Sequence, residues 1–451
     1  MLRPFVLSLV VVAACVPGRG ALFGPVDREA QHRLGVGVAW SDSQDPRVPA
    51  AVRDLLSRPL DLDAAVRIGL ANSRRLQARF DELGIAAADV ADATVLAPAE
   101  VDFDVKLASG GGGEVEVNAV QDVLGLLQLP QRRGAANAAL AAVRARAVAA
   151  TVELARQVEV AFLDVVAAEQ QLELRQTALD AASASAELAT RMHAAGNTSD
   201  LALAREQDQR EEAQVDRDQA QLAVDTAREA LNGVLGLVGD DTHWTTAARL
   251  PDLPEAAPAL DGLETDAAAA SLELAAIGDD ADAAAGRLRV ARVRAFLPEL
   301  GVGAAAARRD GGDWEAGPAL RIGLPIFDQQ QGPRARAHAE VSRAHHLADA
   351  FAAELGAEAR SVRERAEATY KTAVHLRDVV LPLRQQVLDE TLKQYNAMNA
   401  STFELLSAKR DLVAAGARYV DALRDYWLAA ADAKALARGG LPGDTTLEDS
   451  P

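Results

Sequence analysis

The feature that most constrains the fold is an internal duplication in this chain of 451 residues. Pro98 and Pro298 lie 298 − 98 = 200 positions apart, and each follows a helical stretch and precedes strand-like segments. Pro130 and Pro325, each preceded by leucine, mark the return from strand to helix in the two copies, at a spacing of 325 − 130 = 195. A repeat of this kind indicates two copies of one structural unit.

The longest helices are predicted in the second part of each copy. Residues 132–192 contain no proline, and small or apolar residues recur near heptad spacing. At 1.5 Å per residue, about 60 residues form a rod of roughly 90 Å. A second rod is predicted from Pro333 to Tyr395, with a kink at Pro382. Return helices of about 35 residues and lead-in helices of about 30 residues complete a predicted cylinder wall.

Short strands interrupt the helices in each copy. Residues 101–107 alternate strictly between apolar and charged side chains, and residues 114–117 resume the alternation after the turn at Gly110–Gly113. In the second copy, residues 309–313 have the composition of a hairpin turn, and alternation resumes at 320–324. One apolar face and one charged face are typical of a sheet between lipid and water, and a half-buried soluble sheet is the alternative.

The number of strands then constrains the assembly. Two hairpins supply about four strands, whereas the smallest bacterial membrane barrels have about eight. Open sheet edges cannot face lipid, so a membrane location requires several copies to pool their strands. The predicted fold class is therefore mainly α, with duplicated long helices and two β-hairpins per chain. The hairpins contribute about four strands, and three copies would give about 12.

The N-terminus has the layout of an export signal. Arg3 precedes an apolar run that is too short to span a bilayer. The run ends in Val12-Ala-Ala-Cys15, which resembles a bacterial lipobox and predicts lipidation of Cys15; an ordinary signal peptide cleaved near Gly20 is the alternative. The predicted divisions are a lipoprotein-type signal peptide (1–14), an N-terminal linker (15–58), two structural repeats (59–250 and 251–437), and a disordered tail (438–451).

Charge and motifs exclude several classes of function. The net charge of −19 argues against nucleic acid as a partner, because nucleic-acid binding needs clustered Lys and Arg. His338 and His345 share a helix face but lie two turns apart, too far for one ion, and His346 adds no ligand set, so no metal site is predicted. The sequence contains no catalytic triad and no phosphate-loop motif, and we expect neither enzymatic activity nor a cofactor.

Several segments closely resemble the TolC family of outer-membrane efflux proteins, over about Pro59 to Ala437. The matching segments are 59–72, 296–300 before the second hairpin, 320–328 after it, and the helical tips at 195–201 and 395–410. Their order and duplication, rather than any one segment, carry the resemblance. The first tip is also similar to that of heavy-metal efflux channels.

The resemblance implies a passive conduit from the periplasm to the exterior. It implies a homotrimer in lipid of the cell outer membrane. The strands of the three chains would form a shared trimeric 12-stranded β-barrel, and the duplicated long helices would form a tunnel in the periplasm. The implied partners are a periplasmic adaptor (membrane fusion) protein and an inner-membrane pump. A lipid-tethered periplasmic coiled-coil protein, structural or for interactions, is the alternative, but it leaves the strand segments unexplained.

The two helical tips hold the candidate functional residues. Gly196 and Asn197 are typical of a turn with left-handed backbone angles. Ser199 or Asp200 would be the N-cap of the first return helix, and Ser401 or Thr402 the N-cap of the second. Three copies of Asp200 near a symmetry axis would form an acidic entrance ring that favours cations, and a plain helix cap is the alternative. The resemblance implies adaptor contacts by Gly196, Asn197, Ser199, Asn399 and Ser401.

The tips also depart from the family pattern. His193 stands where tyrosine is usual, and Met398 stands where a small residue is common. The first tip is predicted to be shorter than the second. Gly196 to Ala204 spans 204 − 196 = 8 positions, whereas Met398 to Ala408 spans 408 − 398 = 10.

Overall fold

The computed structural model describes residues 17–42, 45–107, 113–309 and 311–442. Cys15 and the predicted signal peptide lie outside the described residues. The helices are Arg19–Leu34 (α1), Arg47–Leu56 (α2), Leu62–Asn72 (α3), Arg74–Thr94 (α4), Leu124–Leu127 (α5), Leu129–Ala194 (α6), Asp200–Leu235 (α7), Leu263–Ala270 (α8), Leu272–Phe296 (α9), Gln331–His375 (α10), Leu381–Asn396 (α11) and Thr402–Ala437 (α12). The strands are Glu100–Leu107 (β1), Gly113–Asp122 (β2), Leu300–Arg309 (β3) and Glu315–Ile322 (β4). Within these ranges, no helix has both the length and the apolar character needed to cross a membrane.

The order of elements is duplicated, as the sequence predicts. In each half, two helices separated by a serine (Ser73 or Ser271) lead into a hairpin. After the hairpin come a long helical stretch, a tip and a return helix of 36 residues. The return helices begin at Asp200 and Thr402, 402 − 200 = 202 positions apart. Mainly helical architecture with one four-stranded sheet is therefore confirmed.

The second strand-to-helix transition differs from the prediction. Helices α6 and α10 begin at Leu129 and Gln331, 331 − 129 = 202 positions apart, so the predicted spacing of 195 is wrong. Pro325 lies in the loop after β4 rather than at a helix start. The prolines that lie in the first turns of the two helices are Pro130 and Pro333. Proline is tolerated there because the N–H that it lacks has no partner within the helix.

The second long rod is interrupted close to the predicted kink. Helix α10 ends at His375, and Leu376–Val380 forms a single π-helical turn before α11. Pro382 is the second residue of α11 and has no N–H to donate to the carbonyl four residues earlier. A π turn shifts the hydrogen-bond register at this point, so the helical chain continues past the proline.

The four strands form one antiparallel sheet in the order β1-β2-β3-β4. The hairpin partners include Phe103↔Val117 in the first hairpin and Val302↔Leu320 in the second. The two hairpins join through β2 and β3, where Val117 pairs with Ala306. Glycine is required at Gly303, because a Cβ there would lie 1.8 Å from the carbonyl oxygen of Ala119.

The described chain divides into two compact units, and each draws segments from both halves of the sequence. The described part of the first unit lies within 17–28, 79–148 and 272–352, and it contains the sheet. Its helices approach closely: a Cβ on Gly286 would lie 2.6 Å from the Cβ of Ala135. Phe23 and Phe80 pack edge to face at 4.8 Å between ring centroids.

The described part of the second unit lies within 29–78, 149–271 and 353–442, and it contains both tips. Its core is rich in alanine, which allows close helix packing, and it holds a buried ion-pair network. Arg156 contacts Glu153 at 2.7 Å and Asp432 at 2.9 Å. Burial alone would lower the pKa of Arg156, but hydrogen bonds and charge from the two carboxylates raise it above its ordinary value.

Both chain ends are more structured than the sequence indicates. The predicted N-terminal linker contains α1 and α2. The start of the predicted disordered tail is packed: the Arg33 guanidinium donates to the carbonyls of Ala270 and Arg438 at 2.9 and 2.6 Å. Gly439 has φ of 84° and lies so close to Ala270 that no other residue fits. Residues 438–440 are therefore packed, and the predicted disorder is wrong for this part of the tail.

Candidate functional site: the helical tips and the amphipathic sheet

The two tips form the same turn, in spite of their different sequences. In the first, the N–H groups of Ala195, Gly196 and Asn197 donate to the carbonyls of Arg191, His193 and Met192. In the second, the N–H groups of Ala397, Met398 and Asn399 donate to Lys393, Tyr395 and Gln394. These paired bonds satisfy carbonyls at each helix C-terminus.

Each turn has five residues between its helices, 195–199 in the first and 397–401 in the second. The predicted shorter first tip is therefore wrong. Hydrogen bonding pairs Gly196 with Met398, as predicted, but pairs Ser199 with Ser401, so that Ala204 corresponds to Leu406 rather than to Ala408. Sequence similarity around Ala204 and Ala408 suggested a different alignment because both helices are rich in alanine.

The left-handed position of the turn is occupied differently in the two tips. Gly196 has φ of 76°, as predicted, whereas its counterpart Met398 has φ of 61°. Asn197 does not adopt positive φ, and it contributes its backbone N–H to the turn. A side chain in this region is strained, and Met398 is 94% exposed, so no packing compensates for the strain.

Serine caps the return helix at each tip. The Ser199 hydroxyl accepts from the N–H of Ala202, and the Ser401 hydroxyl accepts from the N–H of Glu404. In the second tip, the Glu404 carboxylate also accepts from the N–H of Ser401, which completes a capping box. That backbone hydrogen bond lowers the pKa of Glu404.

Asp200 is the first residue of α7 rather than its cap. Its Oδ1 lies 2.6 Å from Nε2 of His193, across the turn. The corresponding residues in the second tip are Tyr395 and Thr402, so this contact belongs to the first tip alone. Asp200 is almost fully exposed, and its predicted place in an entrance ring is not visible in a single chain.

The remaining tip residues singled out in the sequence are also exposed: Gly196, Asn197, Ser199, Asn399 and Ser401. Beside the second tip, α11 and α12 enclose an open groove of about 700 Å³. Its lining includes Leu383, Glu390, Asn399 and Asp411. Helix α11 buries none of its residues, so the groove presents both apolar and acidic side chains.

The sheet carries one apolar face and one charged face. Val101, Phe103, Val105 and Leu107 of β1 are 50%, 71%, 63% and 86% exposed. The register places further apolar residues on this same face: Val115, Val117, Ala304, Ala306, Ala316 and Leu320. It also places one charged residue, Arg308, on this face, beside the loop. Large apolar side chains so fully exposed mark a contact surface.

The opposite face is held together by ion pairs between strands. Lys106 contacts Glu116 at 3.5 Å, and Arg309 contacts Glu114 at 3.1 Å. Arg321 bridges Glu100 and Asp102, which lie in the other edge strand of the sheet. The charged side chains therefore line a surface that is compatible with water.

The histidines considered for metal binding stay apart from any ligand set. His338, His345 and His346 are exposed along α10. Across the described ranges, no group of three or more histidine, cysteine or carboxylate side chains is arranged to hold a metal ion.

Sequence reasoning missed two features of the tips. The His193–Asp200 contact crosses the turn at 195–199, where helical periodicity does not predict which side chains meet. The strain at Met398 had one available signal in the sequence. Met398 corresponds to Gly196, a residue for which left-handed backbone angles were predicted.

No protein-family model matches the chain. The chain is 25% identical over 425 residues to the cobalt-zinc-cadmium resistance protein CzcC of Cupriavidus metallidurans. The matched region covers 87% of this chain and 93% of CzcC.

Solved structures share the fold. The CmeC outer membrane channel of Campylobacter jejuni matches with a TM-score of 0.69 at 14% identity, covering 85% of this chain and 87% of CmeC. A membrane protein from Pseudomonas aeruginosa also matches with a TM-score of 0.69, at 19% identity, covering 89% of this chain and 97% of that one. The resemblance predicted from the sequence is thus confirmed, and the chain has the fold of the TolC family of outer-membrane efflux proteins.

Proposed function

We propose that this chain is the outer-membrane channel of a tripartite efflux system, a passive conduit from the periplasm to the exterior. The observation that carries the proposal is the four-stranded sheet, with its exposed apolar face on one side and its ion-paired face on the other. Such a sheet suits a wall between lipid and water. The similarity to CzcC and the shared fold with CmeC support the same function.

The sheet is incomplete as a membrane wall. Its edge strands, β1 and β4, each have a partner on one side alone. Unpaired backbone groups at an edge are costly in lipid, because no water is present to bind them. Three copies that pair β4 of one with β1 of the next would remove all edges, which supports the proposed homotrimer.

The tips are the proposed docking sites for a periplasmic adaptor, which would connect the channel to an inner-membrane pump. Exposed Gly196, Asn197 and Ser199 in the first tip and Asn399 and Ser401 in the second support this assignment. Their backbone groups are satisfied within the turn, so a partner meets a preformed surface rather than a flexible loop.

Divalent metal cations are the proposed solutes. The similarity to CzcC, a protein described by its role in cobalt, zinc and cadmium resistance, supports this class. The net charge of −19 is compatible with a lumen that admits cations.

The proposal is tested by single-channel conductance of the detergent-purified protein in a planar bilayer, together with its mass after cross-linking. We expect steady conductance from a trimer, with a reversal potential that indicates preference for cations. A water-soluble monomer or dimer without conductance would contradict it.

Cys15→Ser separates the channel from the tethered coiled coil. The channel requires detergent for extraction even without a lipid on Cys15, because its sheet lies in the membrane. A tethered soluble protein would be released from membranes by this substitution.

A further inference from the structure

Large apolar residues surround one end of the sheet. In the antiparallel order, β1 and β3 begin at the end where β2 and β4 finish, as the pairs Glu100↔Val120 and Leu300↔Ile322 show. All connections between strands and the longer helices therefore meet at this end. The apolar residues of these connections that are more than half exposed form what we call the apolar collar: Val95 (51%), Leu127 (62%), Phe296 (84%), Leu324 (73%), Ile326 (68%) and Phe327 (93%).

The helix segments next to the collar are rich in arginine. Residues 123–148, 283–296 and 329–346 contain eleven arginines and a single acid, Glu340, in a chain whose net charge is −19. Apart from Glu340, which stands four residues after Arg336, these segments lack acids at the spacing that would pair with arginine on a helix.

Six of these arginines are exposed and have no ion pair within the described part of the chain; Arg343 lies farther along α10 than the others. The five nearest the collar form what we call the arginine belt: Arg133, Arg289, Arg292, Arg334 and Arg336. At 1.5 Å per residue, each lies within about 11 Å of the helix end that adjoins the collar. Some exposed arginines elsewhere in the described chain are paired, as Arg191 is with Glu187, and others such as Arg205 are not. The belt is distinguished by having five unpaired arginines on three segments that meet at one end of the sheet.

The acids at this end do not neutralise the belt. Glu340 pairs with Arg287, outside the belt. Asp328 accepts from the backbone N–H of Gln330. Exposed Asp89 and Asp92 lie near the end of α4 and form no ion pair in the described ranges. The belt therefore keeps unpaired positive charge beside an exposed apolar surface.

We propose that the arginine belt binds anionic phospholipid headgroups at the rim of the membrane, directly below the apolar collar. This inference rests on the proposed membrane location of the sheet. Headgroup layers are about 5–8 Å deep on each side of the hydrocarbon core. The belt arginines lie about 4 to 11 Å along their helices from the ends that adjoin the collar, a range that includes this depth. Arginine presents a fork of donors that binds phosphate oxygens in pairs.

The collar distinguishes a lipid surface from a soluble anion. A free phosphate would need the arginines alone, whereas a phospholipid places an acyl chain against Phe296 and Phe327 and its phosphate against the belt. Aromatic and aliphatic side chains next to basic ones are the usual composition of a membrane–water interface.

The test uses the full-length protein in nanodiscs of equimolar phosphatidylcholine and phosphatidylglycerol. The measured quantity is the ratio of the two lipids that remain bound after mild detergent extraction. We expect the wild type to retain phosphatidylglycerol preferentially. Arg133→Gln, Arg292→Gln and Arg334→Gln combined should lower the preference at least about tenfold, since each basic residue near an anionic surface contributes severalfold.

A matched control combines Arg191→Gln, Arg205→Gln and Arg210→Gln, which remove the same charge near the first tip and should leave the preference unchanged. Replacement of the three belt arginines by lysine should retain most of it, which separates charge loss from misfolding. Two results would overturn this inference but not the channel proposal. One is a wild-type protein that inserts without a lipid preference, and the other is a glutamine variant that keeps the wild-type preference. Failure to insert in any nanodisc would contradict both the inference and the channel proposal.

Discussion

His193 and Asp200 meet across the first tip, with 2.6 Å between Nε2 and Oδ1. The second tip has the same backbone hydrogen bonds but holds Tyr395 and Thr402 at these positions. The two tips thus share a scaffold and differ in chemistry, which provides an internal reference for experiments on either.

Asp200→Asn should loosen the first tip alone. The substitution weakens the contact with His193 but leaves the Ser199 cap in place. An exposed contact of this kind contributes little to global stability, so we expect a change in unfolding midpoint of no more than about 2 °C. Hydrogen exchange measured by mass spectrometry should become faster at 195–199. Equal acceleration at 397–401 would show that the contact is not local to its tip.

Met398→Gly should stabilise the protein by about 1 kcal/mol, because it removes a side chain from a left-handed backbone position. The lost side chain is almost fully exposed, so little packing is lost with it. Denaturant unfolding at equilibrium provides the measurement.

The matched change is Gly196→Met, which introduces the same strain at the equivalent position and should destabilise by a similar amount. A Cβ on Gly196 meets no atom within 4 Å, so the backbone angle is the sole source of the cost. If Gly196→Met left the free energy of unfolding unchanged, backbone strain at φ near 76° would not explain why glycine occupies position 196.

Lowering the pH should increase local opening at the start of α12. The hydrogen bond from the N–H of Ser401 lowers the pKa of Glu404 relative to a free glutamate. A depressed carboxyl pKa contributes stability above the ordinary glutamate value, and this stability is lost as the pH falls through the lowered pKa. Hydrogen exchange of 402–405, corrected for the intrinsic effect of pH, should therefore show more opening in acid. Glu404→Gln keeps the capping box but cannot titrate, and it should remove this extra opening.

Asp432→Ala should cost about 3 kcal/mol, because it removes one partner from a buried arginine. Arg156 and Asp432 have 15% and 13% of their side-chain surface exposed, and they lie 2.9 Å apart. Arg365, which is 51% exposed and 3.4 Å from the same carboxylate, offers a control. Arg365→Gln should cost less than about 1 kcal/mol in the same denaturant measurement. Similar costs for the two variants would contradict the role of burial.

The fold could be predicted where a pattern is set by local chemistry. Strict alternation at 101–107 predicted β1, and the absence of proline from 132 to 192 predicted α6, because both patterns depend on which face each side chain takes. Helix boundaries were less certain: Pro325 resembled Pro130 in sequence, but proline fits both a first helical turn and a loop.

The tips and the belt required the three-dimensional structure. The positive φ at Met398 follows from the register of the turn, which alanine-rich flanks leave ambiguous. The arginines of the belt are common residues spread over three segments, and only the sheet order brings these segments to one end. Adaptor contacts by the tip residues stay a prediction, as do lipidation of Cys15 and the boundaries of the two repeats.

The most direct test of the central claim is cysteine labelling along β1 in the membrane-embedded protein. Single cysteines from Val101 to Leu107 are introduced into a Cys15→Ser background and exposed to a water-soluble maleimide. We predict a period of two: protection at Val101, Phe103, Val105 and Leu107, which face lipid, and labelling at Asp102, Asp104 and Lys106, which face water. Uniform labelling at all seven positions would contradict a membrane location for the sheet.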